Sequence, residues 1–445
     1  MLRLGAPIAL TQFFIMAMGF LDTAMAGHYA AVHQAGVGLG GYVLWPTFML
    51  LAGCTMSVTP MVAQMMGAGR GSETGRVVRQ GLIVGGVGSV LAVVAVVNGG
   101  VLFAAAGVDA VTADVGERYL KAAAFGLPPV MIYMVLRHGA EGLGRTVGPM
   151  VIAALALTLN AILNYAFIYG RFGAPELGGE GCGWATAIVM WFELGAIVLL
   201  WRRRPFRATG LWQGAEPGRA QEVYIGRILK IGVPIGLSSF VSMGLYAAVG
   251  ILIGGLGVVP VAAHNIAGHI NWATFVAPMA LGSAAGIRIG FHVGGGDLAG
   301  AARVARTAFL LSIGYAVTIS VALVLARNVV VLVYSNDAAV IGVAATLILF
   351  IAVYQIFDDA QATMAGSLRG YKDTRVPMLY SVAGYWLLAF PVGLALGYGW
   401  GEIPELGVYG FWIGLSVGLA AVAVAMGLRL LSTSRNEERI AVLSR

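Results

Sequence analysis

The chain has 445 residues, of which 59% are hydrophobic and only 11% are charged, and its formal net charge is +7 at pH 7. Soluble domains carry about a quarter charged residues, so this composition excludes an ordinary water-soluble protein. The basic excess does not indicate a nucleic-acid-binding protein, because Lys and Arg occur in short loops between apolar segments, a pattern typical of membrane proteins.

Apolar segments long enough to cross a hydrocarbon core of about 30 Å recur along the whole chain. The first six predicted spans are about 4–27, 42–66, 81–106, 120–140, 149–170 and 181–201. The second six are about 230–254, 260–286, 306–326, 338–366, 377–398 and 408–431. The first span contains Asp22 and is too long for a signal-peptide core, so we expect no cleavable signal peptide. The sequence predicts an all-α membrane protein with twelve transmembrane helices.

One long polar segment separates these spans into two groups of six. We predict an N-terminal six-helix lobe over 1–201, a cytoplasmic linker over 202–229, a C-terminal six-helix lobe over 230–431 and a cytoplasmic tail over 432–445. The two cysteines, Cys54 and Cys182, indicate neither a disulfide framework nor a metal site.

The distribution of basic residues predicts the orientation. Most of the 27 Lys and Arg residues lie at the termini or after even-numbered spans, including Arg137 and Arg145, which we assign to the loop after the fourth span. The opposite loops hold only Arg118, Lys121, Arg171 and Arg327. Because cytoplasmic loops are enriched in Lys and Arg, both termini are expected in the cytoplasm, as an even number of spans requires.

The two halves resemble each other at a nearly constant offset. The segment LGAPI at 4–8 matches IGVPI at 231–235, an offset of 227 residues, and Gly139 matches Gly366 at the same offset. Six-span repeats of like orientation imply a pseudo-two-fold axis along the membrane normal. We therefore expect two pseudo-symmetric six-helix lobes around a central cavity, an architecture typical of transporters.

Several stretches resemble a known family of transporters. They are MGFLDTAMAG at 18–27, TPMVAQMMGAGR at 59–70, EGLGRT at 141–146, LNAILNYAFIYGRFGAPELGGEGCGWATA at 159–187 and AGSLRGYKDTRVPM at 365–378. In this order and over essentially the whole chain, the sequence resembles the multidrug and toxic compound extrusion (MATE) family, of the bacterial NorM-like kind.

The resemblance implies a secondary antiporter of the bacterial cytoplasmic (inner) membrane. It would export small organic, mostly cationic, compounds in exchange for inward Na⁺ or H⁺ by alternating access. We expect a monomer surrounded by membrane lipid that does not bind nucleic acid, is not an enzyme and needs no cofactor beyond the coupling ion. The sequence contains no GxxxxGK[ST] segment, so we do not expect the chain itself to hydrolyse ATP.

A candidate cation site lies in the N-terminal half. Inserting a carboxylate such as Asp22 into a membrane costs at least a few kcal/mol, so it is expected to face a partner or a cavity. Asn160 and Asn164 share a face of the fifth span. At about 1.5 Å per residue, Asp22 and Asn164 lie about 27 and 22 Å from the cytoplasmic ends of their spans, and Thr186 about 8 Å from the opposite end. These levels nearly coincide within the membrane.

The chemistry of these residues fits a small monovalent cation, because one carboxylate is joined by amide and hydroxyl oxygens. In the resembled family, the positions that match Asp22, Asn160, Asn164 and Thr186 form the N-lobe cation site. Hydrogen bonds between packed helices are the alternative interpretation for the asparagines. The oxygen-rich set favours Na⁺ over H⁺, since protonation needs no such cage.

The C-terminal half holds a second candidate site in the tenth span. The resemblance implies that Asp358 contributes to a C-lobe cation, proton or substrate site, with Asp359 beside it; for Asp359 the alternative is a solvated or Arg-paired side chain. Gln361, His264 and Asn265 are candidates for lining a cavity, although helix packing is the favoured interpretation of His264 and Asn265. NorM-like proteins often carry a glutamate in the seventh span, where this chain has Ser242.

Other functions fit the sequence less well. A lipid or lipid-linked oligosaccharide flippase of the same superfamily would need Arg or Lys deep in the spans to meet an anionic head group, and we predict none there. A membrane-embedded transferase would need paired acids or a His-acid motif at the interface. Aromatic residues such as Tyr133 and Trp272 are candidates for facing a cationic drug, but contact with lipid or the interface is the favoured interpretation.

Overall fold

The computed structural model describes residues 1–105, 107–213, 223–402 and 404–444. Regular structure in these ranges is helical throughout, with no strand. The chain forms two compact units, Ala6–Ser239 and Phe240–Arg445, the second of which also includes Met1–Gly5. We call them the N-terminal and C-terminal units.

The N-terminal unit begins with eight α-helices. They are α1 Leu2–Tyr29, α2 Ala31–Thr55, α3 Val58–Gly67, α4 Thr74–Val97, α5 Gly100–Ala105, α6 Ala110–Ala124, α7 Leu127–Gly142 and α8 Val147–Tyr169. They are followed by α9 Gly179–Trp201 and the short α10 Arg204–Arg207. The next helix, α11 Ile225–Gly254, contains the boundary between the two units.

The C-terminal unit is built from longer helices. They are α12 Val258–Gly294, α13 Leu298–Leu332, α14 Ala338–Gly370, α15 Arg375–Val382, α16 Phe390–Tyr398, α17 Val408–Arg435 and α18 Glu437–Ser444. A π-helical segment, Ala383–Ala389, joins α15 to α16.

The prediction of twelve spans is confirmed in the part of the chain that is described. Eleven helical segments are long and apolar enough to cross a membrane, and α6 with α7 forms a twelfth that bends by 51°. The bend lies at Phe125–Gly126, just before two prolines in the first turn of α7. Proline cannot donate the backbone hydrogen bond that would continue α6, so the span breaks there.

Helix boundaries follow the sequence repeat. The combined range of α2 and α3, 31–67, reappears 227 residues later as α12 over 258–294. The bent pair α6 and α7, over 110–142, corresponds to α14 over 338–370 at an offset of 228. The equivalent spans differ in continuity, because α12 and α14 have no break where α2–α3 and α6–α7 are interrupted.

Small residues bring two helices of the C-terminal unit into backbone contact. Gly282 and Gly286 of α12 face Gly366 and Gly370 of α14, and each pair has the GxxxG spacing that permits close helix packing in membranes. A Cβ atom on Gly286 would lie 2.6 Å from the carbonyl oxygen of Gly366, and one on Gly370 would lie 2.6 Å from that of Gly286. No residue larger than glycine fits this contact without moving a helix.

The predicted linker is described up to residue 213 and again from 223; its residues 214–222 lie outside the described ranges. Its first part packs on the start of α4, where the Arg79 guanidinium donates to the carbonyls of Gly210 and Leu211 at 3.1 and 2.9 Å. The side-chain oxygen of Gln80 accepts the backbone N–H of Ile225 at 3.0 Å, which anchors the start of α11.

The glycine contact predicts a measurable difference between two alanine substitutions. Gly366→Ala places a methyl group against the backbone of Gly282, so we expect it to lower the free energy of unfolding by about 1–3 kcal/mol. Gly314→Ala in α13 is the matched control, because its methyl group meets nothing within 4 Å. Thermal unfolding of the purified protein in detergent measures both, and equal melting temperatures for the two variants would contradict the packing role of Gly366.

Candidate functional site

Three helices of the N-terminal unit meet around Asp22. Asp22 is only 6% exposed, and it is an acid in the otherwise mostly apolar helix α1. Asn160 and Asn164 reach it from one face of α8, because they are four residues apart. Thr186 reaches it from α9. All three partners are buried, so the four residues predicted at similar depth are brought together.

Hydrogen bonds join these side chains directly. The amide groups of Asn160 and Asn164 donate to Asp22 Oδ1 at 3.1 and 2.6 Å, and the Thr186 hydroxyl donates to Asp22 Oδ2 at 3.1 Å. Asn164 also donates to Asn160 Oδ1 at 3.1 Å. Hydrogen bonds to an ionised acceptor are stronger than neutral ones, so this arrangement solvates a carboxylate where water is scarce.

The backbone of α1 is also held at this level. Cys182, one turn before Thr186 on α9, directs its thiol to the carbonyl of Asp22 at 3.5 Å. The Tyr169 hydroxyl at the end of α8 donates to the carbonyl of Met25 at 2.9 Å. Both neighbours of α1 therefore fix the height and rotation of Asp22.

One acceptor of the cluster is unused. The Asn164 side-chain oxygen is buried and accepts no hydrogen bond from any described residue. Together with Asp22, Asn160 and Thr186 it forms a compact set of oxygen atoms. Oxygen atoms of carboxylate, amide and hydroxyl groups are the ligands that hard cations prefer, so the chemistry of the set fits a small monovalent cation.

The predicted C-terminal site also contains buried acids. Asp358 and Asp359 are 9% and 0% exposed, and the Asn271 side chain of α12 hydrogen-bonds to Asp358. Gln355, one turn earlier on α14, donates to Asp359 Oδ2 at 3.5 Å. The interpretation of Asp359 as a solvated residue is wrong, since its carboxylate is enclosed within the unit. The burial arises because α14 packs closely on both α12 and α13.

Several oxygen atoms at the Asp358 and Asp359 site have no hydrogen-bond partner within the described ranges. They are Asp359 Oδ1, Gln355 Oε1 and Asn271 Oδ1. Asn271 and Gln355 are therefore additional polar groups of this region that the sequence did not single out as partners of the acids.

Ser242, at the position where the resemblance led us to expect a glutamate, lies in the same region. Its side chain hydrogen-bonds to Tyr385 of the π-helical segment, and Tyr385 interacts electrostatically with Asp358. Two hydrogen-bonded hydroxyl groups, those of Ser242 and Tyr385, therefore lie in the region where the resemblance implied a third acid.

The remaining candidates do not form one group. His264 is buried, stacks on Tyr246 with ring centroids 4.9 Å apart and meets Trp412 edge-on at 5.9 Å. Asn265 is exposed and Gln361 is half-buried. The structure thus places His264 in an aromatic packing contact within the C-terminal unit.

A further set of buried charges was missed. Arg137 was assigned to a loop, but it lies inside α7, is 3% exposed and donates to Glu141 at 2.8 Å. The loop assignment is wrong because α7 continues to Gly142. Glu193 of α9 is equally buried and interacts electrostatically with Arg137. An acid within the predicted span 181–201 is the same signal that identified Asp22, so Glu193 could have been found from the sequence.

Comparison with known families agrees with this architecture. A sequence model of the family described as MatE matches residues 7–166 and 234–395, which together make up most of the chain. The two matches begin 227 residues apart, the offset of the internal repeat.

Solved structures of transporters share the fold. The eukaryotic MATE transporter AtDTX14 superposes with a TM-score of 0.89 at 17% identity, covering 100% of this chain and 97% of that one. The Vibrio cholerae MATE transporter VcmN in its bent form gives 0.84 at 17% identity, with 98% and 97% covered. A MOP-superfamily transporter from Pyrococcus furiosus gives 0.85 at 18% identity, with 100% and 96% covered.

Sequence and architecture thus lead to the same assignment. The helical repeats, the long apolar spans and the buried acids fit a transporter, and the family match covers both repeats. The chain belongs to the MATE family and is a multi-pass membrane transporter.

Proposed function

We propose that this chain is a secondary antiporter that exports small organic, mostly cationic, compounds in exchange for inward Na⁺. The observation that carries the proposal is the buried cluster of Asp22, Asn160, Asn164 and Thr186. The proposed antiporter lies in the bacterial cytoplasmic membrane and has both termini on the cytoplasmic side, where most basic loop residues would lie.

The unused oxygen of Asn164 supports Na⁺ rather than H⁺ as the coupling ion. A proton on Asp22 would need a single acceptor, whereas Na⁺ needs several oxygen ligands. Rotation of the amide and hydroxyl groups turns oxygen atoms of Asn160, Asn164 and Thr186 towards an ion beside the carboxylate. Such rotations require no backbone movement.

Ion binding would drive transport through the three helices that share the site. Without an ion, Asp22 draws hydrogen-bond donors from α8 and α9 towards α1. A bound cation neutralises the carboxylate and takes over part of this attraction, which changes the preferred packing of α1. Coupling requires that the two access states bind the ion with different affinities, because equal binding shifts no equilibrium.

The C-terminal acids supply a second place for positive charge. Asp358 and Asp359 lie beside the unpartnered oxygens of Asn271 and Gln355. We assign this region to a second coupling cation or to the cationic group of a substrate. The buried basic side chain of Arg137 in α7 is engaged by Glu141, so it offers no free charge to an anionic lipid head group. A cationic cargo is therefore favoured over a flippase substrate.

Removing the charge of Asp22 is expected to abolish coupled export. In proteoliposomes with an inward Na⁺ gradient, Asp22→Asn should lower ethidium export at least about tenfold, the effect of losing about 1.4 kcal/mol of ion binding. Asp114→Asn is the matched control, because Asp114 is exposed and pairs with Arg118 at 2.9 Å. Normal Na⁺-dependent export by Asp22→Asn would disprove the role of the site.

Na⁺ is expected to stabilise the purified protein at constant pH and ionic strength. At a concentration 100-fold above its dissociation constant, a bound ion adds about 2.7 kcal/mol to the free energy of unfolding. The melting temperature should therefore be higher in NaCl than in choline chloride for the wild type, and this difference should be smaller for Asp22→Asn. Equal melting temperatures of the wild type in the two salts would instead indicate H⁺ coupling.

The Thr186 hydroxyl is expected to stabilise the ionised site. Thr186→Val keeps the shape of the side chain but removes the donor to Asp22 Oδ2, so it should lower the free energy of unfolding by about 1.5–3 kcal/mol. Thr158→Val on α8 is the control, since that exposed hydroxyl donates only to the carbonyl of Ala154. Thermal unfolding in Na⁺-free buffer distinguishes them; a Thr186 variant as stable as its control argues against this hydrogen bond.

A further inference from the structure

The N-terminal unit contains a second group of buried charges between α7 and α9. Tyr133, Arg137 and Glu141 repeat at intervals of four residues and so share one face of α7. Glu193 approaches them from α9. The four side chains are between 0 and 6% exposed. None of them takes part in the hydrogen bonds around Asp22.

Only some of the polar atoms in this group have hydrogen-bond partners. Arg137 Nε donates to Glu141 Oε1 at 2.8 Å and also interacts electrostatically with Glu193. The Tyr133 hydroxyl interacts electrostatically with Glu193, Arg137 and Glu141, yet it is fully buried and has no hydrogen-bond partner among the described residues. A buried hydroxyl group that interacts with these charges is therefore available for a further hydrogen bond.

Charge balance shows what is missing. A guanidinium stays protonated in proteins, so one arginine and two ionised glutamates leave a net charge of −1. Burying an uncompensated charge costs several kcal/mol. One additional positive charge would make the cluster neutral.

The other helices packed on α9 supply no such charge. Helices α2 and α8 contain no Asp, Glu, Lys or Arg, and the His33 ring of α2 accepts the backbone N–H of Gly179 at the far end of α9. The charges of α6 are paired on an exposed surface, Arg118 with Asp114 and Lys121 with Glu117. The arginines of α10 are exposed. On α7 itself, the ring of His138 hydrogen-bonds to the Thr55 hydroxyl at 3.1 Å, so in the described ranges Arg137 is the charged residue that acts on Glu193.

We propose that Glu193, together with Arg137, Glu141 and Tyr133, forms a proton-binding site in the N-terminal unit that is distinct from the cation site around Asp22. A proton needs only one carboxylate oxygen and makes the cluster neutral. A metal cation would need several oxygen ligands and would lie beside a fixed guanidinium charge. The donor set therefore selects H⁺ over Na⁺ here, in contrast to the set around Asp22.

The position of Glu193 connects this site to the first one. Glu193 follows Thr186 by seven residues on α9, so both lie on one face about 10 Å apart along the helix. Protonation of Glu193 would remove its attraction to Arg137 and weaken the contact of α9 with α7. Thr186 on the same helix donates a hydrogen bond to Asp22. A movement of α9 caused by protonation of Glu193 therefore also changes the position of Thr186 relative to Asp22.

Infrared difference spectroscopy tests the proposal without transport, so its outcome is independent of the antiport function. Spectra of the full-length protein in lipid, recorded as pH is stepped, report the C=O stretch of protonated carboxylic acids. We expect a titrating band that is lost in Glu193→Gln and retained in Asp22→Asn. Glu180→Gln is the matched control, because Glu180 lies on the same helix but bonds to Trp184. Identical bands in the wild type and Glu193→Gln would overturn the proposal.

A second variant keeps the test decisive if Glu193→Gln does not fold. Glu141→Gln leaves one carboxylate for Arg137, so Glu193 should stay ionised and the band should again be lost, although Glu193 itself is present. A band that persists unchanged in Glu141→Gln would contradict the shared-charge arrangement. Adding Na⁺ at constant pH should leave the wild-type band unchanged, and its displacement would show a metal-cation site instead.

Discussion

The carboxylate of Asp22 imposes the strongest constraint on the N-terminal unit. In a hydrocarbon core it has no water to solvate it, and its insertion costs at least a few kcal/mol without partners. The protein supplies donors from two other helices, Asn160 and Asn164 from α8 and Thr186 from α9. The position of α1 beside these helices therefore depends on polar contacts, and a change in the charge of Asp22 alters the balance of those contacts.

Much of this could be predicted because the relevant signals are local. The apolar segments gave the number of spans, and an acid within such a segment identified Asp22. The four-residue spacing placed Asn160 and Asn164 on one face of α8. Each of these features depends on one helix at a time, where length, rise and rotation are known in advance.

Errors arose where a buried polar group depends on a partner that was not recognised from the sequence. Arg137 was placed in a loop because basic residues near the end of a span normally lie in water, but Glu141 allows this one to remain inside α7. Without a recognised partner, Glu193 of α9 was overlooked. The bond between Asn271 and Asp358 was missed for the same reason, since the relative rotation of α12 and α14 depends on the glycines where the two helices touch.

The two repeats share helix boundaries but not their buried acids. At the offset of 227 residues, the position of Asp22 is taken by the buried Val249, and that of Asp358 by the buried Met131 in the first repeat. Each half has thus kept a charge where the other is apolar. A protein made from two copies of the first half would carry two Asp22 clusters and no counterpart of Asp358, so the two halves of this chain are not interchangeable.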